Sequence, residues 1–202
     1  MIVRLHPIME STNHKSKIAS AKEATKRSPA LRALERVLAV IGACYIVYHL
    51  CFEMAVMTSE SMAPTLRGTS YVNGDRILVE RVTGHFRAPR RWEIYFYYDD
   101  DGNPVTKRVV GLPGEKIAIK EEGIYVNGAK IDLPNYLQPI KYCAQGNLAR
   151  GREFNCGDGY FMLGDDSVDS YDSRYTGVVS KARFHGRAWC ILSPRGRMGF
   201  VN

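Results

Sequence analysis

Two hydrophobic patterns divide this chain. Over residues 37–52 sixteen positions carry no formal charge at neutral pH, reading Val-Leu-Ala-Val-Ile-Gly-Ala-Cys-Tyr-Ile-Val-Tyr-His-Leu-Cys-Phe, and Ala33-Leu34 and Met54-Ala55-Val56 extend the run. Past residue 57 the pattern turns from helical to extended. Residues 77–82, 93–98, 105–110, 116–119, 124–126, 160–163 and 187–192 are short β-branched or aromatic segments parted by Gly, Pro, Asn and Asp, which predicts strands. Residues 123–131 form the clearest hairpin, because Asn127-Gly128 supplies the positive φ angles of a two-residue turn. Many short strands with few helices predict a mainly β domain, an antiparallel barrel or coiled sheet. Residues 138–155 have weak periodicity and are expected as a surface excursion.

The apolar run reads as a transmembrane helix over residues 34–56, near the short end for a span. A buried core helix competes with it, since His49 is polar and Glu35 and Glu53 bracket the run. A cleaved signal peptide competes less well, because it leaves the serine discussed below almost at a new N-terminus. Charge orients the span. The net charge is +7, and residues 1–36 hold eight Lys or Arg against three Glu, so the remainder is near +2. The expected organisation is a cytoplasmic basic tail over 1–33, the span, and an extracytoplasmic domain over 57–202.

Five cysteines follow this division. Cys44 and Cys51 fall in the expected span as small apolar packing residues. Cys143 and Cys156 fall in the translocated part, where an oxidising compartment lets them pair, closing a loop that stabilises by roughly 3 kcal/mol in the chain-entropy account. Cys190 sits in an apolar run and reads as a buried thiol. No Cys or His spacing points to a metal.

The chemistry concentrates in three short stretches. Ser61-Met62-Ala63-Pro64-Thr65-Leu66 offers a serine nucleophile, and Lys107, in Thr106-Lys107-Arg108-Val109-Val110-Gly111-Leu112-Pro113-Gly114, offers its base. A lysine near its ordinary pKa of about 10.4 is protonated and useless for this, so burial must lower it. Taken singly, each stretch has an ordinary reading: a turn at Ser61, and a strand end with its Lys-Arg heads in solvent. The third stretch, residues 164–174, is rich in Asp and Ser and singly reads as a solvated loop.

In their order, the three boxes resemble the type I signal peptidases, membrane-anchored Ser/Lys proteases that remove signal peptides. The resemblance covers most of residues 57–192. It implies Ser61 as nucleophile, Lys107 as general base, the Ser59 hydroxyl beside the Ser61 amide as oxyanion donor, and Ser170 as the hydroxyl that orients the lysine. It also implies that Asp165 supports the site and that Asp172 and Arg174 brace the third box. There the family pattern Gly-Asp-Asn-Arg-Asp-Asn-Ser departs, since Ser167 replaces an arginine and Val168 an aspartate. A supporting ion pair is therefore expected to be missing.

The implied fold is the β-rich domain of that family, and the implied partners are signal-peptide-bearing precursors and the lipid bilayer, with no cofactor. Cleavage after small residues in an Ala-x-Ala context is the implied activity. A dedicated peptidase maturing a pilin or conjugation precursor, and a tethered peptide-binding domain without catalysis, are the alternatives. Nucleic acid is not expected as a partner, because the basic tail has few aromatics and separated charges. His85 and His185 lie in no nucleophile motif. Phe86 and Trp92, flanked by Arg87, Arg90 and Arg91, are candidates for the bilayer interface.

Overall fold

The computed structural model describes residues 28–201; most of the expected basic tail lies outside them. Helix α1 spans Pro29–Cys51. Its start obeys local chemistry: Pro29 has no amide to leave unpaired, and the Ser28 hydroxyl accepts from the Leu31 amide at 3.2 Å. No side chain of α1 is buried.

The helix covers only part of the expected span over 34–56. The helix stops at Cys51, and Phe52–Val56 form strand β1, paired in antiparallel register with β2, Arg76–Glu80. The uncharged part of α1, residues 37–51, rises only about 22 Å against a hydrocarbon core of about 30 Å. No helix among the described residues is long and apolar enough to cross a membrane. The chain divides after Val47 into two compact units, and every strand lies in the second.

Its remaining strands are β3 Ile94–Tyr98, β4 Pro104–Gly111, β5 Lys116–Lys120, β6 Gly123–Val126, β7 Ala129–Lys130, β8 Phe154–Asn155, β9 Phe161–Leu163, β10 Phe184–Ser193 and β11 Gly199–Phe200. The first sheet runs β1-β2-β10-β3-β4-β9, with β11 on β10, and the second runs β7-β6-β5-β8. Every pairing is antiparallel. The expected mainly β architecture is present, but the barrel is not closed. After β4 the chain leaves for the second sheet, so β1 and β9 remain edges of the first. Register shifts along β10 let one long strand serve β2, β3 and β11.

Alternation along the strands sorts side chains into three buried clusters. One joins Met62, Leu66, Ile77, Val79, Ile94 and Phe96. A second joins Tyr95, Tyr97, Val109, Tyr160 and Met162. The third gathers Val110, Ile117, Ile119 and Phe161 with Leu137, Ile140, Tyr142 and Leu148. The stretch expected as a surface excursion thus contributes apolar anchors to the core.

The expected Cys143–Cys156 disulfide is also corrected, since both thiols are free. Cys156 is buried in the third cluster, its Sγ 2.8 Å from where a Cβ on Gly111 would lie, and burial pushes the thiol up to about 11. Cys143 is held elsewhere: its amide donates to Ser167 Oγ at 2.8 Å and its carbonyl accepts from Arg174 at 3.2 Å. Cys190 is half-buried rather than buried. Trp92 packs on the third cluster, with its amide on the Val109 carbonyl at 2.7 Å, which leaves Phe86, 83% exposed, as the free aromatic of that pair.

Candidate active site

The loop between β1 and β2 carries Ser61. It is pinned from inside, because Met62 and Leu66 are fully buried and the Leu66 amide donates to the Met62 carbonyl at 2.9 Å. Ser61 remains partly exposed at the mouth of this turn. Lys107 comes from the middle of β4, opposite Tyr95 of β3, and is only 5% exposed. Its Nζ donates to Ser61 Oγ at 2.6 Å, and Ser59 Oγ lies 3.1 Å from the same oxygen.

Burial lowers the Lys107 pKa from 10.5 to about 8; the charges of Asp172 and Asp165 oppose the shift and that of Arg174 assists it. Desolvation wins over two nearby carboxylates because each of those is already neutralised by an arginine. Asp165 accepts from Arg108 Nε at 2.8 Å and Nη2 at 2.7 Å, a pair with no exposure. Asp172 accepts from Arg174 Nε and Nη2, both at 2.8 Å and equally buried. The lysine therefore feels two ion pairs rather than two free anions.

These pairs also join the three sequence boxes. Asp165 takes a hydrogen bond from Thr65 Oγ1 of the nucleophile loop at 2.6 Å and another from Tyr142 at 3.1 Å. The Asp166 amide donates to the Ser61 carbonyl at 3.1 Å. Gly164 sits where a Cβ would come within 2.1 Å of Ser170 Oγ and 2.5 Å of the Ser61 carbonyl oxygen, so only glycine lets the third box approach the nucleophile this closely.

Ser170 departs from its implied contact. Its hydroxyl donates to Asp172 Oδ2 at 2.8 Å, next to the Gly164 amide at 3.0 Å on the same oxygen, whereas the lysine nitrogen bonds Ser61. The substitution at Ser167 does not leave its loop unbraced. The Ser167 hydroxyl accepts from Arg174 Nη1 at 2.9 Å and its carbonyl from the same nitrogen at 2.7 Å. Val168 is exposed and braces nothing.

Arg108 is the site residue that sequence reasoning missed, having placed its head in solvent; it is 0% exposed. Adjacent strand residues face opposite sides, so a Lys-Arg pair inside a strand buried on both faces needs a partner on each. That was the available signal. Thr65 and Tyr142 had none, since their acceptor is distant in sequence.

Around Ser61 and Lys107 opens a cavity of about 390 Å³ lined by Val56, Met57, Tyr71, Phe96, Val105 and Tyr171 among others. No group of His, Cys, Asp and Glu among the described residues is placed to hold a metal.

Known proteins resemble this chain along most of its length. The family described as signal peptidase, peptidase S26, matches residues 30–193. Signal peptidase I of Leptolyngbya laminosa is 34% identical over 156 residues, 73% of this chain and 71% of that protein. A probable signal peptidase I-2 of Synechocystis sp. is 32% identical over 156 residues, 74% of this chain and 66% of its own length. Signal peptidase I of Bacillus caldolyticus is 32% identical over 145 residues, covering 67% and 76%. A crystal structure of a signal peptidase I from Enterococcus faecalis aligns at 30% identity and a TM-score of 0.40, over 53% of this chain and 98% of that one. The extent of the family match decides the assignment: the chain belongs to the S26 family of signal peptidases, and its enzyme class is a serine endopeptidase of the signal peptidase I type.

Proposed function

We propose that this chain removes N-terminal signal peptides from exported proteins, cutting after small residues in an Ala-x-Ala context, with Ser61 as nucleophile and Lys107 as general base. The observation that carries the reading is the 2.6 Å contact between Ser61 Oγ and a lysine nitrogen whose pKa burial lowers to about 8. With the amine neutral, the contact runs the other way and the serine O–H donates to nitrogen. As Oγ bonds to the scissile carbonyl carbon, its proton passes to Lys107. The oxyanion so formed accepts from the Ser61 amide and the Ser59 hydroxyl. The ammonium then protonates the leaving amine as the C–N bond breaks, and a water deprotonated by the same lysine hydrolyses the acyl-enzyme ester.

The test is cleavage of a precursor bearing an Ala-x-Ala site, with the new N-terminus read by mass. Product ending at the second alanine is expected from the wild-type chain and none from folded Ser61→Ala. Cleavage by Ser61→Ala at the wild-type rate overturns the assignment, and a purely peptide-binding domain yields no product from either.

The same reading anchors the chain in the cytoplasmic membrane through α1, with the N-terminus cytoplasmic and the catalytic unit on the periplasmic or extracellular side. Exposed Leu34, Val37, Leu38, Val40, Ile41, Ile46 and Leu50 support it, as an apolar surface this extensive calls for a lipid or protein partner. A short apolar run is accommodated by local thinning of the bilayer and by Arg32 and Arg36 reaching to the headgroups.

A further inference from the structure

The cavity beside Ser61 holds one charged side chain besides Lys107, and that is Asp169. It stands where the family pattern Gly-Asp-Asn-Arg-Asp-Asn-Ser has its second asparagine. Asp169 is exposed, and neither the fold nor the Ser–Lys contact uses its carboxylate.

The turn role open to an aspartate in this loop is filled by Asp166, whose Oδ1 accepts from the amides of Val168 and Asp169, both at 3.2 Å. Asp165 and Asp172 are taken by Arg108 and Arg174. No ion pair engages Asp169 among the described residues. Lys107 does not serve it either: the charges that act on that lysine are those of Asp172, Asp165 and Arg174, and its nitrogen is on Ser61 Oγ.

Two aromatic side chains share the cavity with this carboxylate. Tyr71 and Tyr171 both line it and are 74% and 73% exposed. Tyr171 stacks on Tyr175, ring centroids 5.3 Å apart. Tyr71 is carried on a turn closed by Asn73, whose Oδ1 accepts from the amides of Thr69 and Ser70 at 3.3 and 3.0 Å. An unpaired carboxylate beside exposed phenol rings favours a cation, through its charge and through the ring quadrupoles. Among the described residues none supplies that cation, whereas a precursor placing its scissile bond against Ser61 enters this cavity.

We propose that Asp169 is a specificity residue that selects precursors with a lysine or arginine within two residues of the scissile bond. This assignment rests on Ser61 and Lys107 as the cleaving pair. The two alanines of an Ala-x-Ala site have to be small, so the cation comes from the residue between them or from either of the first two residues after the cut. A precursor lying over the cavity displaces water, and an ion pair that is weak when exposed strengthens as the surroundings become less polar. Glutamate at the same position meets a like charge and is disfavoured.

The test uses the detergent-solubilised full chain and precursors that carry glutamine, lysine or glutamate in turn at each of those three positions, with kcat/KM read for each. Lysine at one of them is expected to exceed glutamine roughly fivefold, the effect of a partly covered ion pair, and glutamate to fall below glutamine. The lysine preference should shrink as salt rises, persist in Asp169→Glu, approach one in Asp169→Asn and give way to a glutamate preference in Asp169→Lys. Each preference is a ratio within one variant, so a merely structural role for Asp169 lowers all precursors together and leaves it unmoved. A wild type that cleaves lysine and glutamine precursors equally at all three positions, or a preference that Asp169→Asn retains, overturns the assignment and leaves the proposed function standing. A wild type that cleaves none of the precursors overturns the cleaving pair and this assignment with it.

Discussion

Lys107 is bought at the expense of stability. Its pKa falls from 10.5 in the open chain to about 8 in the fold, so between these values the unfolded chain binds more protons and stability rises with pH. Below about 8 the penalty is fully present, on the order of 3 kcal/mol for a shift of that size. Replacing Lys107 by methionine, which fills similar space without the charge, should therefore raise the midpoint of denaturation at pH 7 and leave it nearly unchanged above pH 10.5. The same shift sets the catalytic profile. Turnover should climb as pH passes about 8, and Lys107→Arg should lose roughly 10³-fold or more because guanidinium stays protonated. Ser61→Ala combined with Lys107→Met should be no slower than either alone, since the two act as one unit. A flat pH–rate profile from 6 to 9 would rule out Lys107 as the base. Gly164→Ala is expected to be as damaging to turnover as losing the dyad, because its Cβ would overlap Ser170 Oγ and the Ser61 carbonyl oxygen; near-normal rates in that variant would show that the third box has slack the geometry does not suggest.

Among the elements, the third box and β4 are joined by buried ion pairs whose members are unequal in weight. Asp172 carries Arg174, the Gly164 amide and the Ser170 hydroxyl at once. Removing its charge leaves a buried guanidinium unpaired, so Asp172→Asn should cost about 3–5 kcal/mol, read as a lowered midpoint in urea. Ser170→Ala removes a single hydrogen bond and should cost about 1 kcal/mol. Since Ser170 contacts Asp172 rather than the lysine, it should lower turnover modestly without moving the pH at which turnover rises. A displaced pH midpoint in Ser170→Ala would place its hydroxyl on Lys107 during the reaction. Equal losses of stability in the two variants would mean that the Asp172–Arg174 pair is not what holds this loop.

For the molecule as a whole, the anchoring reading makes a spatial prediction. In sealed inner-membrane vesicles with the periplasmic face outward, added protease should digest the catalytic unit and spare the residues before α1; digestion of that N-terminal segment from the same side would overturn the topology. Local chemistry made much of the β unit legible. The strands around 77–82, 93–98, 105–110 and 187–192 reappear nearly in place as β2, β3, β4 and β10, because β-branched and aromatic runs between turn residues have few other ways to bury themselves. The Asn127-Gly128 hairpin follows its turn for the same reason. Ser61 and Lys107 were legible as a pair of chemical types, and the structure places them within a hydrogen bond. What sequence pattern left undecided was every outcome that depends on distant partners. Phe52–Val56 belong to an apolar run by composition, yet they become β1 because β2 offers them an edge to pair with. Cys143 and Cys156 stay apart because one is drawn into the core and the other is tied to Ser167 and Arg174. Arg108 is buried because Asp165, 57 residues away, meets it there. The chain alone decided which segments extend and which residues have the chemistry, since both depend on neighbours a few positions away. Tertiary structure decided the lysine's pKa, the end of the helix and the fate of each thiol and arginine, since desolvation and ion pairing are set by atoms that sequence order does not bring together.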